Sequence, residues 1–243
     1  MIVYGLIFWL GSALGSFYHV VGYRMPKGLN WINERSACVS CRKTLKWFEL
    51  LPLVSFLWQR GRCRSCGAKI KPIYFWIEAG SGLLFLFPVL YYGPKELGSI
   101  YFSWVFLSLL LIVSVSDLYY GLILNKVLFF FLPLLLLNPE RSLIGMAVGF
   151  FLLLAHFGLG KLLFKRATLG GGDIKLYGLV GLMVGSASTV ISLFIAALLG
   201  LGYSFFVGTL QKSELRFGPF IAIASYIALF YGNRIWEFCA AVF

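Results

Sequence analysis

Acidic side chains are scarce in this 243-residue chain, which holds nine aspartates and glutamates against 21 lysines and arginines. Charged residues of both signs make up only 12% of the sequence, whereas 60% of it is hydrophobic. A soluble domain of this length could not bury so much apolar surface, and the apolar residues stand in long blocks. The composition therefore argues against a soluble protein and predicts an all-α, polytopic membrane protein.

The apolar blocks are each close to the length of a membrane-spanning helix, which needs about 20 residues. We expect about eight transmembrane helices, over residues 1–22, 74–92, 99–117, 118–137, 142–164, 173–187, 188–210 and 217–233. Only the small residues 185–188 separate the sixth and seventh segments, so a count of seven stays open. No basic stretch precedes the first segment and no clear cleavage site follows it, so we expect a retained helix rather than a signal peptide.

Positive charge is concentrated between the first two apolar segments. Eleven of the 21 lysines and arginines lie between Arg24 and Lys71, opposed only by Glu34 and Glu49. A strongly basic loop normally stays in the cytoplasm, and its charge attracts anionic lipid headgroups. We expect the loop to lie at the cytosolic face of the bilayer. We do not expect it to bind nucleic acid, because it is short and tethered at the membrane.

Alternate connections then face the cytosol, and other basic residues flank two of them. These residues are Lys161, Lys165, Arg166, Lys175, Lys212 and Arg216. The connections on the opposite side hold only Lys95, Arg141 and Arg234, so the positive-inside rule is satisfied. In this topology both aspartates of the chain fall at cytosolic helix ends.

Four of the five cysteines form two C-x-x-C pairs in the basic loop. They are Cys38, Cys41, Cys63 and Cys66. Each pair puts two thiolates on one tight turn, and two such turns complete a tetrahedral zinc site with no open position, which predicts a structural metal. Reduced cytosolic thiols favour a metal over disulfides, with a redox pair or unrelated thiols as the alternatives. A loop this small would take much of its folding energy from the metal.

The chain has only two aspartates, Asp117 and Asp173, and both lie beside long apolar segments. A carboxylate near the hydrocarbon core is costly unless partnered, so it indicates a functional site. Asp173 follows Gly170, Gly171 and Gly172, and glycines let another backbone approach closely. Two close carboxylates share a proton, so one can activate a water while the other polarises a carbonyl group. The alternative is that each aspartate caps a helix or pairs with a nearby lysine, Lys126 or Lys175.

In their order along the chain, these motifs resemble those of the type IV prepilin leader peptidases, which are GxGD-type membrane aspartic proteases. The matching elements are Gly15–Pro26 (similar to G-S-F-L-N-V-x-I-Y-R-L-P), the two cysteine pairs around Leu51–Phe56, then Glu78, Asp117, Gly170–Lys175 and Phe217–Phe220. Two departures stand out. His19 replaces the usual asparagine, and the stretch after Asp117 lacks the typical acidic, basic and proline residues.

The resemblance implies a bifunctional enzyme of the bacterial cytoplasmic (inner) membrane, acting at its cytosolic face in a pilus or type II secretion system. Such an enzyme removes the leader peptide of a prepilin or pseudopilin and then methylates the new N-terminus with S-adenosylmethionine. By position, Asp117 and Asp173 would be catalytic, and Gly170, Gly171 and Gly172 would admit the substrate backbone. The four cysteines would bind zinc, and the oligomeric state is left open.

The role of Glu78 and the methyltransferase activity each have an alternative interpretation. Glu78 would contact the positive leader or the amine of the substrate, or it would balance Lys71. No local sequence element identifies a methyl-donor pocket, so a peptidase without methyltransferase activity is the alternative function. A cation-coupled transporter with two ion-binding aspartates and a non-catalytic zinc scaffold are rivals from other classes.

The chain is expected to have three parts. Residues 1–22 form the first transmembrane helix, residues 23–73 the cytosolic zinc-binding loop with the expected methyltransferase part, and residues 74–243 the peptidase bundle. Pro219 is expected to break the last helix near the cytosolic face, and His19 and Cys239 are expected to have structural roles.

Overall fold

The computed structural model describes residues 2–138, 142–164, 170–207 and 216–242. These residues form nine α-helices, and two isolated antiparallel bridges lie between the first and third of them. The helices are α1 (Ile2–Arg24), α2 (Val54–Trp58), α3 (Ile73–Tyr92), α4 (Leu97–Tyr120), α5 (Asn125–Leu136), α6 (Leu143–Phe164), α7 (Gly171–Val184), α8 (Ser186–Val207) and α9 (Gly218–Val242). The expectation of a nearly all-helical chain is confirmed for these residues.

Four of the helical segments are long and apolar enough to cross a membrane. They are Ile2–Lys27, Ile73–Tyr92, Leu97–Tyr120 and Ser186–Val207. Each of the eight predicted segments coincides mainly with one helix, but the bounds of the fourth were wrong. Helix α4 continues to Tyr120, Gly121 then adopts φ 65°, and α5 covers only Asn125–Leu136.

Two other boundary predictions concern glycine and proline. The break expected within residues 185–188 is confirmed, because α7 ends at Val184 and Gly185 has φ 83° before α8 begins. The expectation that Pro219 breaks the last helix was wrong. Pro219 lies in the first turn of α9, where its missing N–H removes no helical hydrogen bond. The predicted cytosolic residues Lys165, Arg166 and Lys212 lie outside the described residues.

The chain divides into two compact units, Met1–Trp104 and Val105–Phe243. In the first unit, α1 packs against α3 through glycines that bring the two backbones close together. A Cβ atom on Gly11 would lie 2.5 Å from the Cβ of Phe85, and one on Gly82 would lie 2.7 Å from the carbonyl oxygen of Phe8. Small residues at such crossings are typical of helices that pack within a membrane.

The second unit is built around α7, which contacts α5, α6, α8 and α9. Eleven of the 14 residues of α7 are buried, beginning with Asp173. Its contact with α6 is backbone against backbone, since a Cβ on Gly181 would collide with the carbonyl group of Gly145. The burial of α7 fixes the position of the residues at its first turn.

The glycine contact between α6 and α7 gives a stability prediction. Gly181→Ala should lower the free energy of unfolding by about 1–3 kcal/mol, the usual effect of overpacking, because backbone atoms of Gly145 cannot move aside as a flexible side chain would. Thermal unfolding of the purified protein in detergent measures this change.

Gly202→Ala is the matched control, because a Cβ at that helical position meets nothing within 4 Å. It should be neutral or slightly stabilising, since alanine favours a helix over glycine. Equal unfolding temperatures for the two variants would contradict the close packing of α6 and α7.

Candidate functional site

Asp117 lies near the end of α4, one turn before Gly121. Its side chain is only 6% exposed, and its Oδ2 accepts a hydrogen bond of 2.7 Å from the backbone N–H of Gly218, the first residue of α9. A Cβ on Gly218 would lie 2.7 Å from the Cβ of Asp117 and 2.8 Å from Oδ2. Only glycine therefore allows α9 to begin against this carboxylate.

Asp173 lies in the first turn of α7 and is 8% exposed. Its Oδ2 accepts a hydrogen bond of 3.0 Å from the backbone N–H of Gly170, and the start of a helix favours a negative charge. A Cβ on Gly172 would lie 2.7 Å from the Cβ of Ile123, whereas one on Gly171 would meet nothing within 4 Å. Gly172 is thus tightly packed, whereas the space beside the preceding residue, Gly171, is open.

The structure brings Asp117 and Asp173 together, close enough for their carboxylates to interact electrostatically. The second oxygen of each carboxylate, Oδ1, has no hydrogen-bond partner among the described residues. The alternative pairing of Asp173 with Lys175 is not formed, because the ammonium group of Lys175 donates to Asn125 Oδ1 at 2.9 Å. Two buried carboxylates thus share one site, each with an oxygen available to a ligand.

Two residues near this pair were missed as site residues by the sequence analysis. Arg216 donates a hydrogen bond to the carbonyl oxygen of Leu118 and acts electrostatically on Asp117, whereas the sequence suggested only a topological role. Asn125 accepts from Lys175 at the start of α5. The position of Arg216 directly before Phe217–Phe220 was the available signal, since that motif was already part of the family resemblance.

The four predicted metal ligands also come together, in the first unit. The sulfur atoms of Cys38, Cys41, Cys63 and Cys66 all lie within 4.8 Å of one another. The Cys38 and Cys66 sulfurs are 3.9 Å apart, close to the roughly 3.8 Å expected for thiolates around a tetrahedral ion with bonds of about 2.3 Å. The cluster could hold one metal ion, and its four-sulfur chemistry fits zinc.

The two cysteine turns, residues 37–44 and 62–69, have the same backbone hydrogen bonds. In the first turn Cys38 N–H donates to Lys43 O at 3.0 Å and Arg42 N–H donates to Cys38 O at 2.9 Å. In the second turn the equivalent bonds run from Cys63 to Ala68 and from Gly67 to Cys63, at 2.9 Å each. Arg42 and Gly67 occupy equivalent positions with positive φ, 56° and 70°. The turns are therefore structural repeats of each other.

This turn geometry prepares the first thiol of each pair for a metal. Backbone N–H groups of Cys41 and Ser40 point to the Cys38 sulfur and lower the pKa of that thiol to about 6. Backbone N–H groups of Cys66 and Ser65 lower the pKa of the Cys63 thiol in the same way. Because a thiolate is the form that binds metal, the turns favour metal binding.

Glu78, on α3 of the first unit, is held by two hydrogen bonds. Its Oε1 accepts from the Ser16 hydroxyl at 2.9 Å, and its Oε2 accepts from the backbone N–H of Leu53 at 2.8 Å. Leu53 has φ 63°, an unfavourable conformation for this residue type. Glu78 and Lys71 form no ion pair, although both are described. Glu78 therefore ties the loop to α1 and α3 in this structure.

His19 is buried in the first unit, 7% exposed. Its ring lies edge-on to Tyr74, with the ring centres 5.2 Å apart. This packing agrees with the structural role expected for His19. The histidine that replaces the family's usual asparagine thus makes an aromatic contact.

Comparison with known proteins gives a match in each of the two units. The profile of the Bacterial Peptidase A24 N-terminal domain matches residues 9–92, and that of the Type IV leader peptidase family matches residues 104–205. Among similar proteins, the prepilin leader peptidase/N-methyltransferase of Bacillus subtilis strain 168 is 37% identical over 245 residues, 96% of each chain. The proteins of that name from Dichelobacter nodosus and Aeromonas hydrophila are 29% and 28% identical over 92% and 96% of this chain, and 90% and 92% of their own. No solved structure matches the chain.

The cysteine cluster predicts one metal ion per chain. Cys63→Ser should abolish stoichiometric metal binding, because it removes one of four ligands and Cys63 is the buried one. Elemental analysis of the purified protein gives the metal content, and the absorption spectrum after cobalt substitution reports thiolate ligation.

Cys239→Ser is the matched control, since Cys239 is an exposed cysteine outside the cluster. It should leave both the metal content and the cobalt spectrum unchanged. A Cys63→Ser protein that retained one tightly bound metal ion would contradict the four-thiolate centre.

Proposed function

This chain belongs to the type IV leader peptidase family, and we propose that it cuts the leader peptide from prepilins or pseudopilins and N-methylates the new N-terminus. The observation that supports the peptidase activity is that Asp117 and Asp173 are both buried and that the charge of one carboxylate acts on the other. These are the only two aspartates of the chain, and each keeps one oxygen without a partner among the described residues.

In the proposed hydrolysis the two carboxylates act as a pair that shares one proton. The charged member takes a proton from the attacking water, and the protonated member donates a hydrogen bond to the scissile carbonyl group. The negative charge of the tetrahedral intermediate is then stabilised by that donor. The proton taken from the water passes to the leaving nitrogen as the C–N bond breaks. Because the two groups titrate together, the roles belong to the pair rather than to fixed residues.

The residues around the pair have supporting roles in this proposal. Gly170, Gly171 and Gly172 admit the extended backbone of the substrate, and the space beside Gly171 supports this role. The backbone N–H groups of Gly170 and Gly218 hold one oxygen of each carboxylate. Glu78 anchors the loop, and a contact between Glu78 and the substrate's basic leader or amine requires release of Ser16 or Leu53.

We further propose that the chain crosses the bacterial inner membrane eight times, through α1 and α3–α9, with the aspartates on the cytosolic side. The basic loop and the basic residues beside α6, α7 and α9 support this orientation. We keep the domain bounds expected from the sequence, with residues 1–22 as the first span, 23–73 as the loop domain and 74–243 as the peptidase bundle. The substrate's apolar segment then reaches the site from within the bilayer.

The metal proposed for the loop is a structural zinc ion, held by Cys38, Cys41, Cys63 and Cys66. Four protein ligands leave no position for water, so zinc stabilises the loop and takes no part in cleavage. S-adenosylmethionine is the proposed methyl donor. The loop has a cavity of about 170 Å³, smaller than the roughly 300 Å³ of typical ligand sites, and we assign no residue to the donor.

The peptidase proposal predicts that Asp117→Asn and Asp173→Asn each lower the cleavage rate by about 10²–10⁴-fold, the usual contribution of general acid–base catalysis. Asparagine keeps the size of the side chain but removes the titratable group. Cleavage of a purified prepilin by the protein in detergent micelles measures the loss.

Glu237→Gln removes an exposed carboxylate from α9 and serves as the matched control. It should cut at the wild-type rate. If either aspartate variant cut as fast as Glu237→Gln, the aspartyl mechanism would be wrong.

The second activity predicts that Asp117→Asn still methylates a substrate whose leader has already been removed, because the aspartates act only in hydrolysis. Transfer of a labelled methyl group from S-adenosylmethionine to the pre-cleaved substrate measures this. Transfer by neither the variant nor the wild type, with cleavage intact in the wild type, would establish the alternative of a peptidase alone.

A further inference from the structure

Tyr177 lies in α7, four residues after Asp173, and is completely buried. Among the described residues, its hydroxyl is the one buried side-chain polar atom without a hydrogen-bond partner. A buried hydroxyl left unpaired costs about 1–3 kcal/mol. Phenylalanine would fill the same space without that cost, so packing explains the ring of Tyr177 but not its hydroxyl.

The hydroxyl is placed near an acceptor that also lacks a partner. Residues four apart share one face of a helix, and helical side chains lean toward the N-terminus, which here is the end that carries Asp173. Tyr177 lies within the range over which the charge of the Asp173 carboxylate acts. Asp173 Oδ1 has no partner among the described residues, since Oδ2 is the oxygen that accepts from Gly170. A buried donor and an acceptor oxygen without a partner among the described residues thus lie one turn apart.

Two serines extend this polar region into the neighbouring helices. Ser192 on α8 lies close to the Tyr177 hydroxyl, although the pair lacks hydrogen-bond geometry. The Ser192 hydroxyl is 3.1 Å from that of Ser225 on α9, and both serines are completely buried. We call Tyr177, Ser192 and Ser225 the hydroxyl cluster. It joins α7 to α9, the helix whose first N–H binds Asp117.

The cations of the site do not supply the missing donor. Lys175 donates to Asn125, on the side of α7 that is exposed. Arg216 donates to the carbonyl oxygen of Leu118 and acts on Asp117 rather than Asp173. The Tyr177 hydroxyl is therefore the buried donor best placed to reach Asp173.

We propose that Tyr177 is a positioning residue for the aspartyl pair: its hydroxyl donates to the second oxygen of Asp173 when substrate binds, with Ser192 and Ser225 orienting it. This role rests on the proposed peptidase function. With Gly170 holding one oxygen and Tyr177 the other, the plane of the carboxylate is fixed. Each oxygen retains a second acceptor site for the attacking water.

The test is Tyr177→Phe, which keeps the ring and removes only the hydroxyl. It should lower kcat for prepilin cleavage by about tenfold, the effect of a loosely held catalytic group, and leave KM unchanged. The unfolding temperature should stay the same or rise, because a buried unpaired hydroxyl is removed. A wild-type kcat, or a loss confined to stability, would overturn the proposal.

Tyr226→Phe is the matched control, since it removes a hydroxyl from another buried tyrosine of the same unit. It should leave kcat unchanged, and an equal loss of kcat in this variant would overturn a specific role for Tyr177. Asp173→Asn in the same assay distinguishes failure of the peptidase mechanism from failure of the positioning role. If that variant cuts, the peptidase mechanism fails; if it is inactive while Tyr177→Phe cuts normally, only the positioning role fails.

Ser192→Ala provides an independent measurement that does not require substitution of the tyrosine. It should lower kcat by a smaller factor than Tyr177→Phe, because it loosens the hydroxyl without removing it. The double variant should be no slower than Tyr177→Phe alone, since both changes act through one hydrogen bond. Multiplicative losses, or a wild-type kcat for Ser192→Ala, would overturn the coupling.

Discussion

A carboxylate buried among apolar helices must receive hydrogen bonds, and in this protein the first N–H groups of two helical segments supply them. Gly218 donates to Asp117 as α9 begins, and Gly170 donates to Asp173 just before α7. Helix starts have N–H groups without helical partners, and their positive end favours a negative charge. The hydrogen bonds that the two carboxylates require therefore constrain where α7 and α9 begin relative to α4.

The parts of the site that sequence reasoning could predict are those made by rare residues. Two aspartates in an apolar chain, and four cysteines in one loop, have few possible roles, and the structure brings each set together. Gly218, Arg216 and Tyr177 were harder to assign. A backbone donor depends on where α9 begins, and the unpaired hydroxyl of Tyr177 depends on the packing of three helices, neither of which leaves a local pattern.

Helix bounds show the same distinction. The break at Gly185 could be predicted, because a cluster of small residues interrupts an apolar run. The end of α4 could not, since residues 118–137 are apolar on both sides of Gly121 and hydropathy does not register a single positive φ. Pro219 was misinterpreted because proline stops a helix from within but fits its first turn. The presence of a proline in the sequence does not by itself tell whether it lies inside a helix or in its first turn.

Glu78 shortens the loops that close when the first unit folds. The chain leaves α1, forms the loop and returns at α3, so packing of α1 on α3 closes a long ring of polypeptide. The bond from Leu53 to Glu78 spans only 25 residues, and the contact between Cys38 and Cys66 spans 28, so each divides that ring. Loops closed within an existing loop cost less entropy than independent ones. The thiolate cluster and Glu78 thus divide one long loop into shorter ones, and each contact lowers the entropy cost of forming the other.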